Sequence, residues 1–396
     1  MRGEADLTFN RFLDMLESDE DPATVPGLSH LVDGQPVHVL HDAPPANLDE
    51  IPIPDLSLIA GTGKPLLFDR GIIPIQSSRG CPHQCNFCSV TPMFGHKMRF
   101  ASKERVAEEL DRRRGQGKVI FFYDDNFCAV PARTKELLDH LLTRKTFLPM
   151  WVAQVSVRAA KDQELLRLMK RSGCYSVYVG FESISEDALA LHHKRQTLED
   201  IRSAIRRFHE NGIWVHGMFV TGSDAEDRKS IRDTARFAID EDIDSIQFLI
   251  LTPLPGTPVY NEMKAQGRLI STDWSRYDTL HTVFQPARMS PETLTRETFA
   301  AMTEVYSVRR MLGFLSQKRW MHFSTCVYAQ WQLRKVEFEH RTRPLLSWLT
   351  PRAPAPGEAP LPPPAEKETG GWGFNPVRGV VGQLQKLRQA FKASNH

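Results

Sequence analysis

Three cysteines, Cys81, Cys85 and Cys88, are clustered in the stretch Ser-Arg-Gly-Cys-Pro-His-Gln-Cys-Asn-Phe-Cys-Ser, from Ser78 to Ser89. Thiolates spaced Cys-x-x-x-Cys-x-x-Cys, with Gly80 and Pro82 bending the first turn, can converge on one metal site. A four-iron cluster normally takes one thiolate per iron, so three local ligands leave one iron open. An open coordination position separates a reactive metal centre from a closed structural one. Zinc binding or a redox pair are the other chemistries such a motif allows. Zinc would need a fourth Cys or His, for which His83 inside the motif is the candidate.

Something must hold that loop. From Ile72 the sequence alternates strand-like and helix-like segments, which predicts parallel β/α units. The strands are expected at Ile72–Ser77, Lys118–Tyr123, Met150–Ser156, Ser176–Gly180, Ile213–Val220 and Ser245–Leu251. Helices are expected between them, one from Ser102 as N-cap to Arg114 with Arg105, Glu108 and Glu109 on its wet face. Six such units make an α/β fold, an open partial (β/α)6 barrel over 71–289. Barrels of this kind place their chemistry at the C-terminal ends of the strands.

Those ends give a short set of candidates. After the first strand come the cysteines, and after the second Asp124-Asp125-Asn126. The third ends with Gln154, Ser156 and Arg158. The fourth runs into Gly180-Phe181-Glu182-Ser183, the fifth ends near His216, and the sixth carries Gln247. Glu182 can accept a charge-assisted hydrogen bond from the ammonium of a bound amino acid. Gly180 lets a ligand approach the backbone. Gln154 and Gln247, polar within apolar strands, face either the barrel lumen or each other in the core. Asp124 and Asp125 anchor a ligand or cap the next helix. Lys194 and Arg195 pair with a carboxylate or stay solvated, and His192 and His193 are conceivable further metal ligands.

The cysteine motif, with the aromatic Phe87 before its last cysteine, resembles the signature of the radical S-adenosylmethionine (radical SAM) superfamily. The motifs Phe-x-x-Asp-Asp-Asn-Phe, Gly-Phe-Glu-Ser and Thr-Pro-Leu-Pro-Gly-Thr-Pro follow in order, and the likeness runs from about Ser78 to Pro286. It is similar to the branch that carries an N-terminal cobalamin-binding domain and includes methyltransferases and ring-forming enzymes of tetrapyrrole metabolism. The resemblance implies a 4Fe–4S cluster on Cys81, Cys85 and Cys88, with S-adenosylmethionine (SAM) on the open iron. It implies cofactor contacts from Phe87, Asp124, Gln154, Ser156, Arg158, Gly180, Glu182, Lys194 and Gln247. Gly180–Ser183 resembles the family's Gly-Gly-Glu, with Phe181 in place of the second glycine. Ser156 and Arg158 correspond to positions that hold the SAM ribose and carboxylate. A small-molecule substrate and an electron donor such as flavodoxin or ferredoxin are implied partners.

The 1–70 segment resembles the last helix and exit hairpin of the cobalamin domain, followed by a linker. Leu7, Phe12, Leu13 and Leu16 suit one side of a helix, and Asp33-Gly34 between apolar flanks suits a hairpin turn. The Asp-x-His-x-x-Gly loop that ligates cobalt in that branch does not occur in this sequence. A corrinoid is therefore expected only from a partner or a further segment. After the barrel, 290–345 reads as helical with an aromatic side, Trp320, Phe323, Tyr328 and Trp331. The 346–396 tail has a proline-rich run, Pro351 to Pro364, and a short basic helix marked by Val380, Leu384, Leu387 and Phe391.

Composition fits a soluble globular protein: 396 residues, 41% hydrophobic and 25% charged. No apolar run reaches the ~20 residues that cross a bilayer. Six cysteines, three of them in the motif, do not suggest a disulfide framework. Free thiols and an oxygen-sensitive cluster point to the cytoplasm. A net charge of +2 hides an acidic start and a basic stretch from Arg309 to Arg343. Nucleic-acid binding is not expected, because most such charge is a solvated face.

Overall fold

The six strands expected from Ile72 onward pair into one parallel sheet in the computed structural model, which describes residues 1–18, 20–40, 46–58 and 71–346. The chain divides into two units, Met1–Lys335 and Val336–His396. Of the second, only the end of a helix is described. The proline run and basic helix expected in the tail lie outside the described residues.

The first unit opens with α1 (Thr8–Glu17) and a hairpin, β1 (Ser29–Val32) with β2 (Gln35–His38). Asp33 and Gly34 both have positive φ, as a two-residue hairpin turn requires. The barrel then begins with β3 (Ile72–Ile75). A short antiparallel ribbon follows, β4 (Ser78–Arg79) against β5 (Arg99–Phe100), with α2 (Val90–Phe94) in the loop between them. Next come α3 (Lys103–Arg112), β6 (Val119–Phe122), α4 (Pro131–Thr143), β7 (Met150–Val155) and α5 (Gln163–Arg171). β8 (Cys174–Glu182), α6 (Glu186–Leu191), α7 (Leu198–Glu210), β9 (Trp214–Thr221), α8 (Arg228–Asp240) and β10 (Ser245–Ile250) complete the repeats. After them run α9 (Pro258–Ala265), α10 (Pro291–Val305), α11 (Val308–Ser316) and α12 (Trp320–Leu346). Among the described residues no helix is long and apolar enough to cross a membrane.

The sheet order β10-β9-β8-β7-β6-β3 follows the chain, and β3 and β10 are its two edges. Alternate strand residues take opposite sides. Ile120, Phe122, Trp151, Ala153, Val177, Val179, Val215, Phe219, Ile246 and Phe248 are buried beneath the helices. Phe121, Gln154, Tyr178, His216 and Met218, on the other side, stay partly accessible and Gln247 is exposed; they line the concave face. The helices start where local chemistry directs: Ser102, Asp162, Thr197, Asp227, Thr257 and Ser290 each cap the backbone N–H groups that follow.

Two expectations change. Glu109 is not on a wet face; it is buried, 3.0 Å from Arg105. The proline-punctuated segment before the barrel is not a loose linker where it is described. It forms a strap whose carbonyls accept from arginines: Ala46 from Arg99, Leu48 and Ile51 from Arg105, and Pro54 from Arg113. Prolines break any ladder the strap could join, so its carbonyls need side-chain donors. Glu109 balances the charge these arginines bring inside.

β8 is also longer than expected. Its pairing with β9 shifts register between Gly180 and Glu182, and Glu182 takes a left-handed φ of 62°. The strand therefore carries Glu182 to its tip in a bulge, a device that re-aims a side chain.

Candidate functional site

The cysteine loop is pinched at its base by the β4–β5 ribbon and tied down from beneath. Gly80 has a φ of 91°, and a Cβ there would meet the Lys97 carbonyl at 2.7 Å, so the tight entry needs glycine. Gly80 N–H donates to Asp125 Oδ2 at 3.0 Å. Asp124 is fully buried; it accepts from the Ser77 N–H at 3.2 Å and from the Ser77 and Ser78 hydroxyls at 2.8 and 2.5 Å. Burial raises its pKa to about 6 against those hydrogen bonds. Asp124, expected among cofactor contacts, has its carboxylate occupied by the strand that leads into the loop. On the outer side, Arg79 binds Glu4 and Asp6 at 2.5 and 2.7 Å, which ties the N-terminus to the ribbon.

The far end of the loop rests on later elements. Asn86 donates through Nδ2 to the Leu191 carbonyl at 2.9 Å, and its own carbonyl accepts from Val259 N–H at 3.2 Å. The Thr-Pro-Leu-Pro-Gly-Thr-Pro motif makes this possible, because buried Thr257 caps α9 and sets Val259 against the loop. Phe87 meets the buried His192 ring edge-on at 5.1 Å. A cavity of about 750 Å³ opens beside Asn86 and His192.

Cys81, Cys85 and Cys88 are partly buried free thiols close enough to influence one another electrostatically. Burial raises all three, Cys85 to about 11, while the Lys194 ammonium pulls Cys81 and Cys85 back down. Such desolvated thiols call for a cation beside them. Among the described residues no three Cys, His, Asp or Glu groups are arranged to hold a single metal ion. In a cluster each cysteine holds a different iron, so its ligands need not close on one point.

Across the barrel mouth, Lys194 Nζ lies 2.7 Å from Glu182 Oε1, and both side chains are nearly inaccessible to solvent. Burial lowers the Lys194 pKa, but Glu182 and the thiols of Cys85 and Cys81 outweigh it and keep the ammonium charged. A Cβ on Gly180 would overlap Glu182 Oε1. Ser156, Arg158, Lys194, Arg195, His83 and Cys85 line one small pocket. Burial and those cations lower the His83 pKa. Gln154 lies on the concave face, and Gln247 flanks His216, whose Nδ1 is 2.8 Å from Ser245 Oγ. Burial brings His216 to about 4, so its ring is neutral.

Ser156, Arg158 and Lys194 therefore meet beside Cys85, with Gln154 and Gln247 on the concave face and Asp124 behind the loop. Two features were not anticipated. Tyr178 packs on His216 at 4.5 Å and lines the lumen. Glu226, buried, accepts from Ser183 Oγ at 3.0 Å and from the Gly222 and Ser223 N–H groups at 2.9 and 3.1 Å. It joins the ends of β8 and β9, and its only trace in the sequence is Gly222 four residues before an acid.

Residues 75–238 match the profile of the Radical SAM superfamily. Residues 75–238 thus form a radical SAM domain. The chain is 33% identical over 61% of its length to a bacteriochlorophyllide d C-12(1)-methyltransferase of Chlorobaculum tepidum, covering 54% of that protein. It is 32% identical over 75% of its length to an uncharacterised methyltransferase of Pyrococcus horikoshii, covering 64% of it. The chain thus spans between about half and two thirds of the length of these two curated relatives. A solved structure of the radical SAM methyltransferase TsrM from Kitasatospora setae, with cobalamin and a [4Fe-4S] cluster bound, aligns with a TM-score of 0.57. The alignment has 19% identity and covers 75% of this chain and 60% of that one, a likeness of fold. Radical SAM proteins take a 4Fe–4S cluster and SAM. The donor set here fits both: three thiols on one loop, and a carboxylate beside cationic side chains, the two kinds of charge that an amino acid's ends would pair with.

Proposed function

We propose that this chain binds a 4Fe–4S cluster through Cys81, Cys85 and Cys88, holds SAM against it, and acts on a small-molecule substrate in the barrel lumen. The observation that carries this reading is the meeting of the three thiols with the buried Lys194–Glu182 pair at the C-terminal rim of the sheet. When bound and reduced by one electron, the cluster and SAM supply a 5′-deoxyadenosyl radical able to take hydrogen from an unreactive carbon.

The protein's own side chains bind and orient. Glu182 accepts the SAM ammonium, and Lys194, released from it, turns with Arg158 to the carboxylate. Ser156 offers its hydroxyl to the ribose, and Gly180 keeps the rim open. Phe87, held by His192, closes the side of the loop. Gln154, Tyr178, neutral His216 and Gln247 give the lumen hydrogen-bonding groups on an otherwise apolar surface, as small-molecule sites require. A flavodoxin or ferredoxin of the cytoplasm is the expected reductant.

A cobalamin-dependent methyl transfer is the second reading, with the corrinoid carried by a partner or a further segment. It is favoured by the methyltransferase relatives and by the cobalamin in the structure of similar fold. Anaerobic reconstitution with iron and sulfide, then SAM and dithionite, tests the first reading through 5′-deoxyadenosine. The expected result is a brown protein that releases it, and loss of both on Cys81→Ala, Cys85→Ala or Cys88→Ala. A colourless product containing zinc without sulfide overturns it. Methyl transfer that appears only on adding methylcobalamin and a corrinoid-binding protein selects the second reading.

A further inference from the structure

The last helix has two unlike sides. Toward the protein, α12 buries His322 and Cys326 and packs Phe323 and Leu333 on the core. On its outward side, Trp320, Val327, Tyr328, Trp331, Arg334 and Lys335 fall within an arc of about 120° at 3.6 residues per turn. All six are exposed; Trp320 is 61% accessible and Trp331 58%. A surface helix normally presents polar residues outward. Here the outward side is mostly aromatic and aliphatic, interrupted by Ser324, and exposed Met321 borders it. Contiguous apolar surface of this kind marks an interaction site.

Charge identifies the partner. From Val308 to Lys335 the sequence contains no aspartate or glutamate. Arg310 and Arg319 turn back toward the protein, to the Ile243 carbonyl and Asp242. Arg309, Lys318, Arg334 and Lys335 remain exposed, the last two within the outward arc. Indole and phenol rings accompanied by bases are the composition of a helix lying in a membrane interface, where the rings sit at headgroup level. Each base near an anionic surface adds to the attraction. A second copy of this chain would bring the same acid-free basic face and be repelled. A nucleic acid would satisfy the bases but leave Val327 and Met321 against water.

We propose that the outward face of α12 docks on the surface of an anionic lipid bilayer. The helix lies along the interface and does not cross it. This surface is separate from the cysteine site, so the proposal stands or falls independently of the chemistry above.

Flotation of the full chain with phosphatidylcholine vesicles, with and without phosphatidylglycerol, tests it. The protein is expected to float with the phosphatidylglycerol vesicles, with a blue shift of tryptophan fluorescence, and to stay in solution with phosphatidylcholine alone. The double variants Trp320→Ala/Trp331→Ala and Arg334→Glu/Lys335→Glu should each bind about tenfold more weakly or worse. Their melting temperature and iron content should match the parent, because the changed side chains are exposed. No binding, equal binding to both vesicle types, or binding that survives both double variants overturns the proposal. So does a dimer that the tryptophan variant dissociates, or preferential capture of single-stranded DNA.

Discussion

The Lys194 ammonium lies 2.7 Å from Glu182 Oε1 above Gly180, whose missing side chain leaves room for both. The pair is buried, so neither charge can be removed without exposing the other to a poor solvent. An amino acid arriving at this rim brings one charge for each member of the pair.

Gly180→Ala should therefore act on SAM binding rather than on the cluster. The added Cβ overlaps Glu182 Oε1 and displaces the pair. A charge-assisted hydrogen bond contributes about 1.5–3 kcal/mol, so the SAM dissociation constant should rise roughly tenfold to a hundredfold. Glu182→Gln should do the same. Anaerobic calorimetry would show it, with iron and sulfide content unchanged.

Asp124 supports the cysteine loop through Ser77 and Ser78. Asp124→Ala leaves buried donors without an acceptor and should cost about 2–3 kcal/mol. Asp124→Asn, which keeps one acceptor oxygen, should cost less. Denaturant unfolding measures the first effect. Slower iron incorporation than in the parent measures the loosened loop.

Glu226 sets a pH dependence. Burial raises its pKa to about 7, above its ordinary 4.5, so the folded protein binds more protons than the unfolded chain between those values. Stability from this group is present below about pH 4.5 and is lost as pH rises through about 7, by roughly 3 kcal/mol. Glu226→Gln should flatten that part of the stability profile. Its amide can still meet the Gly222 and Ser223 N–H groups through oxygen and Ser183 through nitrogen.

At the other end of the barrel, Asp244 accepts from the Val215 N–H and lies 2.8 Å from His209 Nε2 and 2.7 Å from His322 Nε2. Burial would raise the Asp244 pKa, but the two histidines and the backbone hold it at about 2. Its contribution is present above pH 3.8 and is lost as pH falls through about 2. The Asp244 hydrogen bond raises His209, so that contribution is full below pH 6.5 and is lost as pH rises through the higher folded value. Asp244→Asn should cost about 3 kcal/mol near neutral pH and return His209 toward its ordinary titration by NMR.

Much of the architecture was legible because it is written locally. The six strands follow from short apolar runs, and the helix start at Ser102 from its capping residue. Strand-end position alone placed Ser156, Arg158 and Glu182 at one rim, because parallel units align their C-terminal ends, whereas Lys194, beyond α6, was singled out by the resemblance.

What the sequence by itself determined was the thiol spacing, the alternation of strand and helix, and the set of polar residues at the strand tips. These depend on windows of a few residues. Only the tertiary structure decided that Asp124 faces Ser77, that Glu109 is buried under the strap, that Glu226 bridges β8 and β9, and that α12 shows Trp320 and Trp331 to solvent. Each depends on which distant groups meet. A buried charge takes the direction of whatever donor the fold places nearest, and that donor comes from another segment of the chain.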